Sequence, residues 1–144
     1  MLSPTDLRDL EAFAGFMIPA STQYGVPGAD DPAIFADIAR SLERDTADVA
    51  AALKRLAAIG GKPFADLDAA RRRATADTFR AKGGLAMTAL IRVVLLCYYR
   101  DDRVMRSLGQ EPRAPFPKGH VVEQGDWSLL DPVRQRAPIW RKVP

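Results

Sequence analysis

The chain has 144 residues, a formal net charge of +3 and a pI near 9.3, and 47% of its residues are hydrophobic. This length and composition are typical of one globular domain with a real core, and the mild basicity, interleaved with acidic residues, does not by itself argue for nucleic acid or an anionic membrane. A single cysteine, Cys97, excludes an internal disulfide and any Cys-x-x-Cys metal or haem motif.

Three amphipathic helices are predicted in the first half of the chain, because apolar residues recur there at helical spacing. Each has a polar residue or a glycine at the position where helix capping needs one. The expected ends are Ser3 before Pro4 for the first helix, Asp30 or Asp31 before Pro32 for the second, and Asp45 or Thr46 to Gly60 and Gly61 for the third.

Two further helices are predicted in the middle of the chain. A fourth is expected to start at Asp66 and to end at Gly83 and Gly84. The following segment, "LAMTALIRVVLLCYY", is apolar on nearly all sides but shorter than the roughly 20 residues that span a bilayer. We therefore predict that it is the central buried helix, in which Arg92 needs a partner inside the domain or on another chain.

Helical spacing stops after a short sixth helix, which Asp101 caps and Gly109 closes. The residues that follow hold six of the eleven prolines, both tryptophans and the one histidine. Since no run of alternating apolar residues is present, the predicted fold class is all-α. We expect a bundle of about five to six helices at 1–109 and a long, proline-rich, extended C-terminal segment at 110–144.

The C-terminal segment is unusual because it also carries bulky apolar side chains. Disordered tails lack such residues, since apolar groups without a core to enter promote aggregation. We therefore expect the segment to pack on its own domain, on a partner chain, or on both.

No catalytic, cofactor or metal motif is recognised in the chain. There is no Gly-x-Gly-x-x-Gly after a strand and no P-loop. His120 has no orienting partner in the sequence, which favours a loop histidine over a catalytic base. The run Arg71–Arg73 spreads around a helix, which favours a solvated face over a stripe that contacts phosphates. No catalytic, cofactor-binding or metal residue is therefore assigned.

Three stretches carry a resemblance to a known family. They are "MIPAST" with "GVPGADDPAIFADI", then "GKPFADLDAARR", then "LLCYYRDDRVMRSLGQEPRAPFPKGH". In their order and spacing they resemble the small subunit of gluconate 2-dehydrogenase (subunit 3 family). The resemblance implies a non-catalytic partner of an FAD-containing large subunit of the glucose–methanol–choline oxidoreductase class, which oxidises alcohols, sugars or sugar acids.

The resemblance also implies a hetero-oligomer in which FAD belongs to the large subunit, this chain has no cofactor, and a multihaem cytochrome c often accepts the electrons. Many small subunits of the family carry a twin-arginine export signal. Here neither that signal nor a secretory one is recognised. We expect a cytoplasmic protein without a transmembrane segment, or a periplasmic one if an export signal has been removed.

With a large subunit as the partner, the residues predicted to bind it are of the types that dominate binding hot spots, together with a proline-rich loop. They are Tyr24 and Pro27 in the loop after the first helix, and Phe116, Trp127, Arg134, Arg136, Ile139 and Trp140 in the C-terminal segment. Three alternatives stay open: a C-terminal segment that folds over its own helices, a basic helical nucleic-acid-binding module, and a free-standing enzyme built around His120 or Cys97.

Overall fold

The computed structural model describes residues 2–113, 123–137 and 139–140. These residues form seven α-helices and no β-strand, so the predicted all-α class is confirmed. They divide into two units, Met1–Pro112 with six helices and Arg113–Pro144 with one. The helices are α1 (Pro4–Met17), α2 (Pro32–Arg40), α3 (Thr46–Gly60), α4 (Ala69–Lys82), α5 (Leu85–Tyr99), α6 (Asp102–Ser107) and α7 (Asp131–Arg134).

The ends of the first three helices lie where capping chemistry predicts them. Ser3 and Asp6 form a reciprocal capping box, in which the Asp6 N–H donates to Ser3 Oγ at 3.1 Å and the Ser3 N–H donates to Asp6 Oδ2 at 3.0 Å. Asp31 caps α2 by accepting the N–H of Ala33 at 3.0 Å. Gly61 closes α3 with a φ of 76°, in the left-handed region that favours glycine.

The start of α4 differs from the prediction. Asp66 does not begin the helix, because Phe64–Asp66 forms a separate 3₁₀ turn and Leu67 is extended, with φ −79° and ψ 144°. Asp68 is the N-cap instead, and it accepts the N–H of Arg71 at 2.8 Å. Phe64, the first residue of this 3₁₀ turn, is fully buried in the core.

Phenylalanine rings from three elements meet at the centre of the core. Phe13 of α1 lies edge-on to Phe64, with 5.5 Å between ring centroids, and edge-on to Phe79 of α4, with 6.2 Å. All three rings are buried, and this edge-to-face geometry adds to the free energy gained from burial. The helices α3 and α5 pack against each other in the same buried cluster.

Two polar side chains hold the turn Phe64–Asp66 in place. Asp9 is buried and accepts the N–H of Ala65 at 3.0 Å. Arg72 donates to the carbonyl oxygens of Ala65 and Phe64, at 2.6 Å and 3.3 Å, and its guanidinium lies 5.8 Å from the centroid of the Phe64 ring. Backbone polar groups away from water need partners, and these side chains supply them.

Among the described residues, no single helix has both the length and the apolar composition needed to cross a membrane. The helices α4 and α5 meet that test only as a pair, and the chain bends by 119° between them.

Truncation of the aromatic centre tests this core. We expect Phe64→Ala to lower the free energy of unfolding by about 3–5 kcal/mol, because it removes a fully buried ring with two edge-on neighbours. The matched control is Leu85→Ala, at a side chain that is 86% exposed, and it should change stability by less than about 0.5 kcal/mol. Urea unfolding followed by circular dichroism measures both, and equal losses would contradict the packing described.

Candidate functional site

Helix α5 exposes a stripe of apolar side chains on the surface of the helical unit. One side of the helix is buried against the core and packs on α2, α3 and α6. The opposite side is solvent-exposed, and it carries apolar side chains together with Thr88 and Arg92. Its members, here called the α5 stripe, are Leu85, Leu95, Leu96 and Tyr99, with exposed fractions of 86%, 37%, 61% and 52%. The prediction of a central buried helix therefore holds for the side that packs on the core and is wrong for this face.

Arg92 lies on the same exposed side and is not the buried arginine that the sequence predicts. Its side chain is 43% exposed, and its Nη2 donates to Oδ1 of Asp45 at 2.6 Å. The partner is therefore inside the helical unit, at the start of α3. An ion pair with this exposure contributes at most about 1 kcal/mol, so it ties α5 to α3 without dominating stability.

The loop between α1 and α2 forms one wall of a groove beside the α5 stripe. Ser21 and Val26 exchange backbone hydrogen bonds of 3.0 Å, and Gly25 has a φ of 63° at the resulting turn. Tyr24 lies on this turn with 69% of its surface exposed. The groove has a volume of about 290 Å³, and Tyr24 lines it together with Tyr99 of α5.

The two predicted loop residues have different roles in this geometry. Tyr24 is exposed on the groove wall, where a partner can contact its ring. Pro27 is half-buried, and its carbonyl oxygen accepts the phenol O–H of Tyr98 at 3.2 Å. That hydrogen bond anchors the loop to the buried side of α5. The contact of Pro27 is thus internal, and Tyr24 is the better placed of the two for a partner.

Arg103 of α6 fastens the same loop by a double ion pair. Its Nη2 and Nη1 lie 2.8 Å and 3.1 Å from the two carboxylate oxygens of Asp31, the N-cap of α2. Its Nε and Nη2 each lie 3.0 Å from the carboxylate of Asp101, the N-cap of α6. Hydrogen bonds from this guanidinium lower the pKa of both carboxyl groups below the ordinary aspartate value. Sequence reasoning missed this clamp, because Asp31 and Arg103 are far apart along the chain.

In the C-terminal unit the described aromatic side chains are exposed. Trp127, Ile139 and Trp140 have exposed fractions of 63%, 98% and 65%. Trp127 donates its indole N–H to Gln124 at 3.3 Å, and Arg134 pairs with Asp131 at 3.3 Å. The side chain of Arg136 is also exposed. Phe116, the remaining predicted contact residue, lies outside the described residues, as does His120.

The prediction of an extended C-terminal segment is wrong for residues 127–134. Trp127–Leu130 forms a 3₁₀ turn, and α7 follows it directly. Asp126 caps the turn by accepting the N–H of Ser128 at 3.0 Å. Pro132 lies in the first turn of α7, where a proline needs no N–H and has a suitable φ. This proline therefore lies in the start of a helix and does not mark extended chain.

The three consecutive arginines of α4 point to three different environments. Arg71 pairs loosely with Asp68 at 3.8 Å, and Arg72 turns inward onto the carbonyl groups of the Phe64–Asp66 turn. Arg73 is exposed and, within the described part of the chain, has no hydrogen-bond or ion-pair partner. Because successive residues on a helix are separated by about 100°, the run does not form one basic stripe.

Cys97 has the surroundings of a core residue. It is buried, and burial raises the pKa of its thiol, which disfavours the thiolate that acts as a nucleophile. Within residues 2–113, 123–137 and 139–140, no group of three or more His, Cys, Asp or Glu side chains is placed to hold a metal ion.

Comparison of the chain with protein-family models, with curated proteins and with solved structures gives no match. The resemblance to the gluconate 2-dehydrogenase small subunit therefore stays a prediction that rests on the three stretches quoted above.

Acid titration tests the Arg103 clamp. Because the folded pKa of Asp31 and of Asp101 is lowered, the stability that the clamp adds is complete above the ordinary aspartate pKa of about 3.9 and is lost as the pH falls through the lowered values. Arg103→Met should cost on the order of 1 kcal/mol at pH 7. The difference in the free energy of unfolding between this variant and the wild type should shrink toward zero in acid. Urea unfolding midpoints at a series of pH values measure that difference.

The matched control for this titration is Arg106→Met on the same helix. Within the part of the chain that the structure describes, Arg106 pairs only with the exposed carboxylate of Asp102, at 3.0 Å. This variant should follow the pH profile of the wild type. A deficit of Arg103→Met that stays constant from neutral to acid pH would contradict the clamp.

Proposed function

We propose that the chain is a non-catalytic small subunit that binds, stabilises and helps to mature the FAD-containing catalytic subunit of an alcohol or sugar dehydrogenase. The observation that carries the proposal is the α5 stripe together with exposed Tyr24 on the neighbouring groove wall. The family resemblance supplies the class of partner. The proposed complex is a hetero-oligomer in which FAD belongs to the large subunit, with a cytochrome c as an electron acceptor.

The α5 stripe supports a protein partner because its side chains gain free energy when they leave water. Each Å² of apolar surface buried contributes roughly 25 cal/mol, and exposed apolar side chains grouped as Leu95, Leu96 and Tyr99 are at the end of α5 can mark an interaction site. In this arrangement Leu96 and Tyr99 are contact residues at the C-terminal end of α5, and Arg92 with Asp45 contributes polar contacts beside them.

The described part of the C-terminal unit supports the same kind of role. Trp127 and Trp140 present indole rings, and Arg134 and Arg136 present guanidinium groups, and these are the side chains that dominate binding hot spots. We propose that these residues, with Ile139, also bind the large subunit. An indole ring loses little conformational entropy when it docks, because it has only two rotatable side-chain bonds.

The proposed mechanism is thermodynamic linkage, and it needs no chemistry in this chain. A subunit that binds only the folded large subunit stabilises it by about 2.7 kcal/mol when its free concentration is 100 times the Kd. The buried thiol of Cys97 fits this role, since its raised pKa disfavours nucleophilic chemistry.

Co-purification tests the proposal. When the chain is produced together with the product of the neighbouring gene, we expect a yellow flavoprotein to co-purify with it. Leu96→Glu places a charge between Leu95 and Tyr99 of the α5 stripe and should weaken the association at least about tenfold. Trp127→Ala should also weaken it, by a smaller factor if the C-terminal unit contributes only part of the interface.

The matched control is Ala51→Glu, which adds the same charge at an exposed position of α3 outside the α5 stripe, and it should retain the flavoprotein. A colourless, monodisperse wild-type protein without a companion would overturn the proposal. Salt-sensitive binding to a labelled DNA duplex would favour the nucleic-acid-binding alternative.

A further inference from the structure

A second groove lies on the helical unit, between α1, α4 and α5. It has a volume of about 460 Å³, within the range of roughly 300–1,000 Å³ that is typical of ligand sites. Its floor is apolar and consists of aromatic, methionine and aliphatic side chains. The main floor residues are Phe13, Phe16, Met17, Phe79, Met87 and Ile91.

The rim of this groove is basic. Arg73 and Arg80 line it from α4, with one acidic residue, Asp77, between them. Arg80 and Asp77 are only loosely paired, at 3.8 Å, and their side chains are 81% and 62% exposed. Arg73 is exposed, and no hydrogen-bond or ion-pair partner is present for it in the described residues. The rim therefore offers the charge of Arg73, which is unpaired within the described residues, and the charge of Arg80, which Asp77 contacts only loosely.

The floor is suited to side chains of variable shape. Met17 and Met87 are flexible and polarisable, and such methionines adapt to different apolar partners. Met87 and Ile91 lie one helical turn apart on α5, so the floor follows the axis of that helix for about 6 Å. A floor of this length receives side chains from two successive turns of another helix, which is the helix-in-groove mode of recognition.

From this combination we infer that the groove binds an acidic amphipathic helix of a partner protein. Leucine or phenylalanine side chains of that helix occupy the floor, and its Asp or Glu side chains pair with Arg73 and Arg80. Charge complementarity selects this occupant over a basic helix, because two guanidinium groups flank the opening and only Asp77 opposes them. The site does not depend on the flavoprotein proposal, since it uses none of the residues of the α5 stripe.

The direct test uses the full chain and two labelled helical peptides of about 18 residues, or about five turns. Both carry leucine at helical i, i+3, i+4 and i+7 positions. At the positions that flank the leucines, one peptide has glutamate and the other has lysine. We expect fluorescence anisotropy to show that the glutamate peptide binds at least about tenfold more tightly, and that added salt reduces the difference.

Variants of the rim locate the binding. Arg73→Glu should weaken the glutamate peptide, and the double change with Arg80→Glu should abolish or reverse the preference between the peptides. Arg71→Glu is the matched control, because it reverses the same charge two residues away on α4 and outside this groove, and it should keep the preference. The far-ultraviolet circular dichroism of all three variants should match the wild type, since none of these side chains is buried.

Three outcomes would overturn the inference. The first is equal binding of the two peptides, and the second is a preference that survives the double change at Arg73 and Arg80. The third is binding to anionic phosphatidylglycerol vesicles with none to the glutamate peptide, which would make the groove a lipid site.

Discussion

The packing of α5 against α3 and α2 is the contact on which the rest of the helical unit depends. It buries Leu90, Val94 and Cys97 on one side of a helix that is apolar on nearly all sides. The ion pairs Arg92–Asp45 and Arg100–Asp37, both at 2.6 Å, connect the same helix to its neighbours. Because only one side is covered, the helix that completes the core also presents the α5 stripe to solvent.

Arginine side chains make several of the contacts between elements in this unit. Whether each one points inward or toward solvent determines whether it holds the fold together or borders a groove. Arg72 points inward and supplies hydrogen bonds to a buried turn, whereas Arg73, the next residue, borders the groove between α1, α4 and α5. Arg103 joins the N-caps of α2 and α6, which sets the position of the loop that carries Tyr24. A rigid, planar guanidinium suits these bidentate contacts better than a flexible ammonium group.

The two proposed binding surfaces use different residues of the helical unit and depend on different interactions. The α5 stripe is mainly apolar, so its association would depend on burial and respond weakly to salt. The second groove combines an apolar floor with a basic rim, so its association would be selective for acidic partners and sensitive to salt. Both proposals assign this chain a role in binding other proteins, which is also the role proposed from the family resemblance.

The amino-acid sequence by itself determined the all-α class and most helix ends, because capping and helical spacing act within a few residues: Ser3, Asp31 and Gly61 lie where they were expected. Residue type together with the family resemblance also singled out Tyr24 and Trp127 as candidate partner contacts, and both side chains are exposed in the structure. Only the tertiary structure decided that one face of α5 is uncovered, that Arg92 is exposed and that Arg103 reaches Asp31. These features depend on which helices pack together, and apolar spacing along one helix does not specify how many neighbours it will have.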